Sequence, residues 1–150
     1  MAKTEKAIFT NMCMITDGGK VLVLNRKNPD WPGITFPGGH VEKEESFVDS
    51  VIREVYEETG LTIEHPMLCG TKQFQVGEDT RYVVFFYKAS HFSGELKSSD
   101  EGEVFWVDRK ALANYTLAPD MEAMVQVMES DHLSEFYYYR ENGGWKYKLL

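Results

Sequence analysis

The segment GHVEKEESFVDSVIREVYEETGL, residues 39–61, decides how this chain is read. Ser46 to Thr59 contains neither Gly nor Pro; Glu44 and Glu45 precede it, and Gly60 follows where a left-handed C-terminal cap belongs. The spacing predicts a helix over these residues, with acids ahead of its start as the helix dipole favours. At about 100° per residue, Phe47, Val48, Val51, Ile52 and Val55 fall on one arc that can pack on a sheet. Glu54, Glu57 and Glu58 stand at i, i+3 and i+4, on one side of the same helix beside that arc. Three like charges so close destabilise a bare helix, and clustered hard oxygens are the ligands that Mg²⁺ or Mn²⁺ takes. Metal binding resolves the repulsion. Arg53, set among the acids, predicts a forked ion pair with a carboxylate such as Glu45 or Glu57.

Upstream of the helix, Lys6 to Thr16 is apolar, Asp17-Gly18-Gly19-Lys20 has turn chemistry and Val21 to Arg26 is apolar again, which predicts a β-hairpin. Asn28 to Gly39 holds Pro29, Pro32, Gly33, Pro37, Gly38 and Gly39, so it is a structured loop with one short extended piece near Ile34 to Phe36. Gly38 and Gly39 allow a tight backbone turn and the close approach of a phosphate ahead of the helix. Downstream, strands are expected at Leu61–Ile63, Met67–Gln75, Thr80–Ala89 and Glu103–Val107, with turns at Gly77-Glu78-Asp79 and Ser93-Gly94-Glu95. A second helix is expected from Asp120 to Glu129, its Met121, Met124, Val125 and Met128 stripe facing the core, followed by a hairpin of Glu135–Tyr139 and Trp145–Leu149. Strands interleaved with two helices make an α/β (α+β) sandwich on a mixed sheet, and residues 1–150 are expected to form one domain.

The composition sets outer bounds. At 150 residues, 43% hydrophobic and 27% charged, the chain can bury a core without staples, which excludes disorder and fibres. Twenty-four acidic residues against sixteen Lys and Arg give a net charge of −8, so no DNA duplex and no anionic membrane is expected as a partner. A compact anionic ligand can still bind through a metal ion. Cys13 and Cys69 read as buried free thiols; with no signal-peptide pattern and no run of about 20 apolar residues, a cytoplasmic location is expected.

Gly39, Glu45, Arg53, Glu54, Val55, Glu57, Glu58, Gly60 and Leu61 together spell G-x5-E-x7-R-E-U-x-E-E-x-G-U, where U is a bulky aliphatic residue. This matches the Nudix box at every specified position, and chance would produce it on the order of once in a million chains of this length. The chain therefore resembles the Nudix hydrolases. The resemblance implies a Nudix α/β/α sandwich around a central mixed sheet, and hydrolysis of a diphosphate linkage by metal-activated water. It implies Glu54, Glu57 and Glu58 as ligands of Mg²⁺, with Mn²⁺ as the alternative, the backbone at Gly38 and Gly39 completing the site, and Arg53 in support. The general base is either Glu54 or a glutamate outside the box. Glu101, in Ser99-Asp100-Glu101-Gly102-Glu103, takes that place and can also reach the metal; Glu103 is the alternative, and Glu101 is preferred.

A looser similarity covers nearly the whole chain. Ser-Asp-Glu, the strand bearing Trp106, the pair Pro119-Asp120, a helix and a closing aromatic hairpin look like the MutT-type oxidised-purine nucleoside triphosphatases. That likeness makes Asp120 the candidate for reading a purine edge, with an N-cap of the second helix as the other reading. The chain departs from the pattern at Ala118, where a Trp is usual, at Met121 in place of a second Asp, at Thr35 near a base-contacting Asn, and at His40 in place of a Lys. Arg26 is in reach of substrate phosphates, and Trp31, Phe36 and Phe74 can stack on a base. The expected substrate is a small nucleotide, an oxidised purine triphosphate first among them, handled by a monomer or homodimer. The alternatives are ADP-ribose, a dinucleoside polyphosphate, a nucleotide sugar, a capped RNA end, or a non-catalytic nucleotide-binding module.

Overall fold

In the computed structural model, which describes residues 3–150, the apolar runs become strands and the segments broken by Pro and Gly become loops. The order is β1 (Lys6–Asp17), β2 (Lys20–Arg26), β3 (Gly33–Thr35), α1 (Phe47–Thr59), β4 (Leu61–Glu64), β5 (Met67–Val76), β6 (Thr80–Ala89), β7 (His91–Gly94), β8 (Gly102–Asp108), a 3-10 helix (Arg109–Asn114), α2 (Met121–Glu129), β9 (Glu135–Glu141) and β10 (Gly144–Leu149). The main sheet runs β10-β9-β5-β6-β1-β2-β3, with β8 also on β2 and a separate β4-β7 pair. It is mixed: β1 lies parallel to β6 and β5 parallel to β9, while the other neighbours are antiparallel.

Side chains alternate across this sheet, and both faces are covered. On β1 and β2, Met12, Met14, Val21 and Val23 join α2 in one core. Cys13, Ile15, Leu22 and Leu24 on the opposite face join Val51 and Val55 of α1 in a second. A strand buried on both faces must be continuously apolar, as Met12–Ile15 and Val21–Leu24 are. The result is the expected helix–sheet–helix sandwich, with the Met stripe of α2 in the core.

The expected first hairpin is corrected in an informative way. β1 and β2 pair only at Thr16↔Val21 and Asp17↔Lys20, next to the turn. They then part, β1 pairing with β6 from Lys6↔Thr80 to Ile15↔Ala89 and β2 with β8 from Lys20↔Asp108 to Arg26↔Gly102. The turn chemistry fixes the reversal, but the longer ladders with β6 and β8 win the remaining backbone groups. The loop from Pro37 to Val41 fills the wedge. Cys13 and Asn11 donate their N–H groups to the carbonyls of Pro37 (2.8 Å) and Gly39 (2.9 Å), and Val41 N–H donates to Phe9 (2.9 Å). This inserted loop carries the glycine pair into the middle of the molecule.

α1 starts after Ser46, whose hydroxyl accepts from Asp49 N–H at 2.9 Å, and stops at Gly60 in the left-handed region, φ 79°. A Cβ at Gly60 would stand 2.4 Å from the Glu95 carbonyl oxygen, so conformation and space both demand glycine. The predicted apolar arc is narrower than expected: Val51 and Val55 are buried, but Phe47 and Val48 are exposed. Phe47 instead caps the helix start against Phe85 (ring centroids 4.3 Å apart) and Phe9 (5.4 Å). Ser93 and Gly94, expected in a turn, belong to β7, paired with Leu61 and Thr62 of β4.

Candidate active site

The splayed β1 and β2, the glycine loop and α1 surround a cleft of about 580 Å³. Its acidic end holds Glu54, Glu57 and Glu58 from the last two turns of α1 and Glu101 from the turn before β8, together with Gly38, Gly39 and His40. The other end is walled by Trp31, Phe36, Phe74 and Tyr82, with Arg26, Thr35 and Lys72 among the polar groups that line the cleft.

Neither glycine of the loop has a positive φ, so a tight turn is not what requires them. Close approach is. A Cβ on Gly38 would lie 2.0 Å from the Asn11 carbonyl oxygen, and one on Gly39 would lie 2.3 Å from the Glu54 carboxylate. Asn11 locks this contact: its side-chain carbonyl accepts from Gly39 N–H (3.1 Å) while its amide donates to the buried hydroxyl of Ser50 on α1 (2.8 Å). Sequence reasoning missed Asn11, although an Asn inside the apolar run Ile8 to Ile15 is the available signal.

Arg53 is the organiser of the acidic end. Its Nε and Nη2 fork onto Glu45 at 2.7 and 3.0 Å, Nη2 also donates to the His40 carbonyl (3.0 Å), and Nη1 donates to Glu54 (3.0 Å) and Glu57 (3.2 Å). The fork holds the Glu45 carboxyl down at about 2. Arg53 does not itself line the cleft; it is a positioning residue that fixes one oxygen each of Glu54 and Glu57.

Glu58 is only 6% exposed, and burial, with the charges of Glu54 and Glu101 adding to it, pushes its carboxyl up to about 8 against the opposing Gly38 N–H at 3.4 Å. Burial raises Glu54 as well, opposed by Arg53. These acids occupy the C-terminal half of α1, where the dipole disfavours negative charge and where the last turn has no basic residue. As the side chains lie, no three acid, His or Cys groups among the described residues converge on one point. Yet Glu54 Oε2, Glu57 Oε1 and Glu58 Oε1 each lie outside the hydrogen bonds just described, and all are hard oxygen donors. The donor set and its uncompensated charge fit a divalent cation.

The remaining candidates divide. Glu101 stands at the cleft and Glu103 does not line it. Thr35 is buried and donates to the Met121 sulfur at 3.4 Å. Arg26 lies over Trp31 at 5.6 Å, and its Nε is the one buried side-chain polar atom without a partner among the described residues. Asp120 does not line this cleft. It lines a smaller one beside Tyr115, Pro119 and Tyr147, accepts the Tyr138 hydroxyl, and occupies the N-cap position of α2 at φ 64° without a side-chain capping bond. Lys72, which sequence reasoning did not single out, is buried at the aromatic end, and burial lowers its ammonium to about 8 against the opposing charge of Asp120.

A pleated sheet curled around a glycine loop, with a glutamate-rich helix on one face, is an architecture that comparison with known proteins identifies. The NUDIX domain model matches residues 8–128. The chain belongs to the Nudix family. It is 34% identical over 112 residues to the uncharacterized Nudix hydrolase YvcI of Bacillus subtilis, covering 71% of this chain and 70% of that protein. It is 32% identical over 92 residues to the ADP-ribose pyrophosphatase of Methanocaldococcus jannaschii, covering 60% and 54%, and 29% identical over 102 residues to the oxidized purine nucleoside triphosphate hydrolase of Danio rerio, covering 65% and 64%. Among solved structures, the MutT protein of Bacillus halodurans superposes with a TM-score of 0.75 at 30% identity, covering 95% of this chain and 97% of that one. The fold is that of the MutT structures, and the chemistry of the family is hydrolysis of a pyrophosphate linkage. No helix among the described residues is long and apolar enough to cross a membrane.

Proposed function

We propose that the chain acts as one domain that hydrolyses a purine nucleoside triphosphate to the nucleoside monophosphate and pyrophosphate, with oxidised purines among its substrates. The observation that carries this reading is the joining, in one cleft, of an acidic end suited to a cation and a polyphosphate with an aromatic end whose rings can stack on a base. Glu54, Glu57 and Glu58 would hold Mg²⁺ or Mn²⁺, which when bound supplies charge neutralisation at the phosphoryl oxygens and a more acidic water. Arg26, which lines the cleft, offers a cation to the phosphates. Arg53 keeps Glu54 and Glu57 in place. The attacking water gives its proton to a carboxylate as its oxygen bonds to phosphorus and pyrophosphate leaves. Glu101 is preferred as that base because Arg53 occupies Glu54 Oε1, whereas Glu101 has no ion pair among the described residues.

Incubation with Mg²⁺ and a panel of normal and oxidised nucleoside triphosphates, with products separated by ion exchange, tests this. Monophosphate plus pyrophosphate is the expected outcome, and release of orthophosphate or turnover unaffected by EDTA would refute it. A second reading, ADP-ribose as substrate, draws on the archaeal relative, and ADP-ribose belongs in the same panel.

A further inference from the structure

Along β5, residues two apart share a face, so Gly70, Lys72 and Phe74 point the same way, toward α2 and the cleft. At 9% exposure Lys72 is the one basic residue among the buried polar groups of the described chain. Four rings surround its ammonium: Tyr138 at 5.1 Å, Phe136 at 5.4 Å, and Phe74 and Trp31 at 5.7 Å each. Ring faces attract a cation but accept hydrogen bonds poorly. Burial and the charge of Asp120 are the influences that act on the ammonium, and Asp120 is itself engaged by Tyr138, so no carboxylate is bonded to Lys72 among the described residues. The ammonium has three N–H groups and finds no hydrogen-bond acceptor among the described residues. A Leu or Met would pack this position at lower cost. Trp31 and Phe74, which touch it, are also the flat walls of the cleft.

We infer that Lys72 is a specificity-determining residue that donates to the exocyclic carbonyl of a base lying among Trp31, Phe74 and Tyr82, so that the cleft takes 6-oxopurines in preference to adenine. The inference rests on the reading of this cleft as a nucleotide site. A 6-oxopurine offers O6 and N7 as adjacent acceptors, the pair that a lysine recognises on guanine. Adenine presents an amino donor at the same place, setting donor against donor. The discrimination expected from one such mismatch is about 10- to 100-fold. This would turn the enzyme toward guanine-like and hypoxanthine-like nucleotides and away from adenine-bearing ones such as ADP-ribose.

Inosine and adenosine 5′-monophosphates form the minimal pair, differing at C6 and in the proton on N1. Calorimetric titration of the full chain in Mg²⁺ should give inosine monophosphate about 10- to 100-fold tighter than adenosine monophosphate. Lys72→Met, which keeps length and packing, should bring the two within about threefold; Lys72→Leu, which also removes the donor, supplies a second variant should the first fail to fold. Equal affinities in the unaltered protein, tighter adenosine monophosphate, binding of neither nucleotide, or an unchanged ratio in a folded variant would each overturn the inference. Pyrophosphate release from triphosphates, assayed on the same preparations, reports separately on the proposed function. A protein that binds inosine monophosphate selectively but cleaves no triphosphate refutes the function and keeps Lys72. One that cleaves triphosphates with indifference to the base does the reverse.

Discussion

The two ends of the cleft carry opposite electrostatic problems. At the acidic end, three carboxylates share the C-terminal half of α1 with one guanidinium between them, and the most buried, Glu58, holds its proton up to about 8. At the aromatic end a single ammonium is sunk among four rings and releases its proton more readily than usual, at about 8. In each case burial pushes the ionisable group toward its neutral form, because charge is costly away from water. The protein keeps both groups although apolar residues of similar volume would serve stability better. The difference in sign is instructive: one end calls for a cation, the other for hydrogen-bond acceptors. A metal-bound nucleotide supplies the two together.

The largest predicted effect removes one side of that contrast. Glu57→Gln should lower kcat/KM by about 10³-fold or more while the melting temperature shifts by no more than a few degrees, since Glu57 is exposed on its helix; steady-state kinetics beside a thermal melt checks both. Full activity in this variant would remove Glu57 from the site.

Lys72→Met should break the other side and stabilise the protein by about 1–3 kcal/mol at pH 7. The ammonium titrates near 10.5 when unfolded and about 8 when folded, so between these values the unfolded chain binds more protons and stability rises with pH. Below about pH 8 the cost of burying the charge is fully present, and the 2.5-unit gap (10.5 − 8) corresponds to about 3 kcal/mol. Urea melts at pH 7 and 9.5 should show this rise in the unaltered protein and not in Lys72→Met, the difference between the two isolating the lysine.

A smaller effect sharpens the acidic end. Millimolar Mg²⁺ should raise the melting temperature of the unaltered protein by several degrees, whereas Glu58→Gln should melt higher than it without metal and gain little from the addition. Smallest is a control that touches neither end. Ser46→Ala removes the α1 cap and should cost about 1 kcal/mol in a denaturant melt, with kcat/KM within twofold.

The glutamate-bearing helix α1 was readable because its information is local. Seven fixed residues and two aliphatic ones lie within 23 positions, and the helix begins within one residue of the prediction and ends at Thr59 as expected. What was not readable depends on distant chain. The wedge between β1 and β2 exists because β6, more than sixty residues on, competes for β1, and nothing in the Asp17-Gly18-Gly19-Lys20 turn announces that competition. Asn11 and Lys72 escaped for a related reason. Each is a polar residue in a strand, a pattern that ordinarily marks an exposed position, and only the pairing of the strands shows that both face inward. Asp120 illustrates the converse. Resemblance singled it out, while the structure engages it with Tyr138 beside a second, smaller cleft, leaving it to act on Lys72 through its charge alone.

The most direct test of a cleft that joins a cation site to a 6-oxopurine site is pyrophosphate release from inosine and adenosine triphosphates, measured side by side with Mg²⁺ and with EDTA. Monophosphate and pyrophosphate are expected from both, with kcat/KM about 10- to 100-fold higher for inosine triphosphate and none of this turnover in EDTA. Equal rates for the two bases, a preference for adenosine triphosphate, or activity that survives EDTA would contradict it.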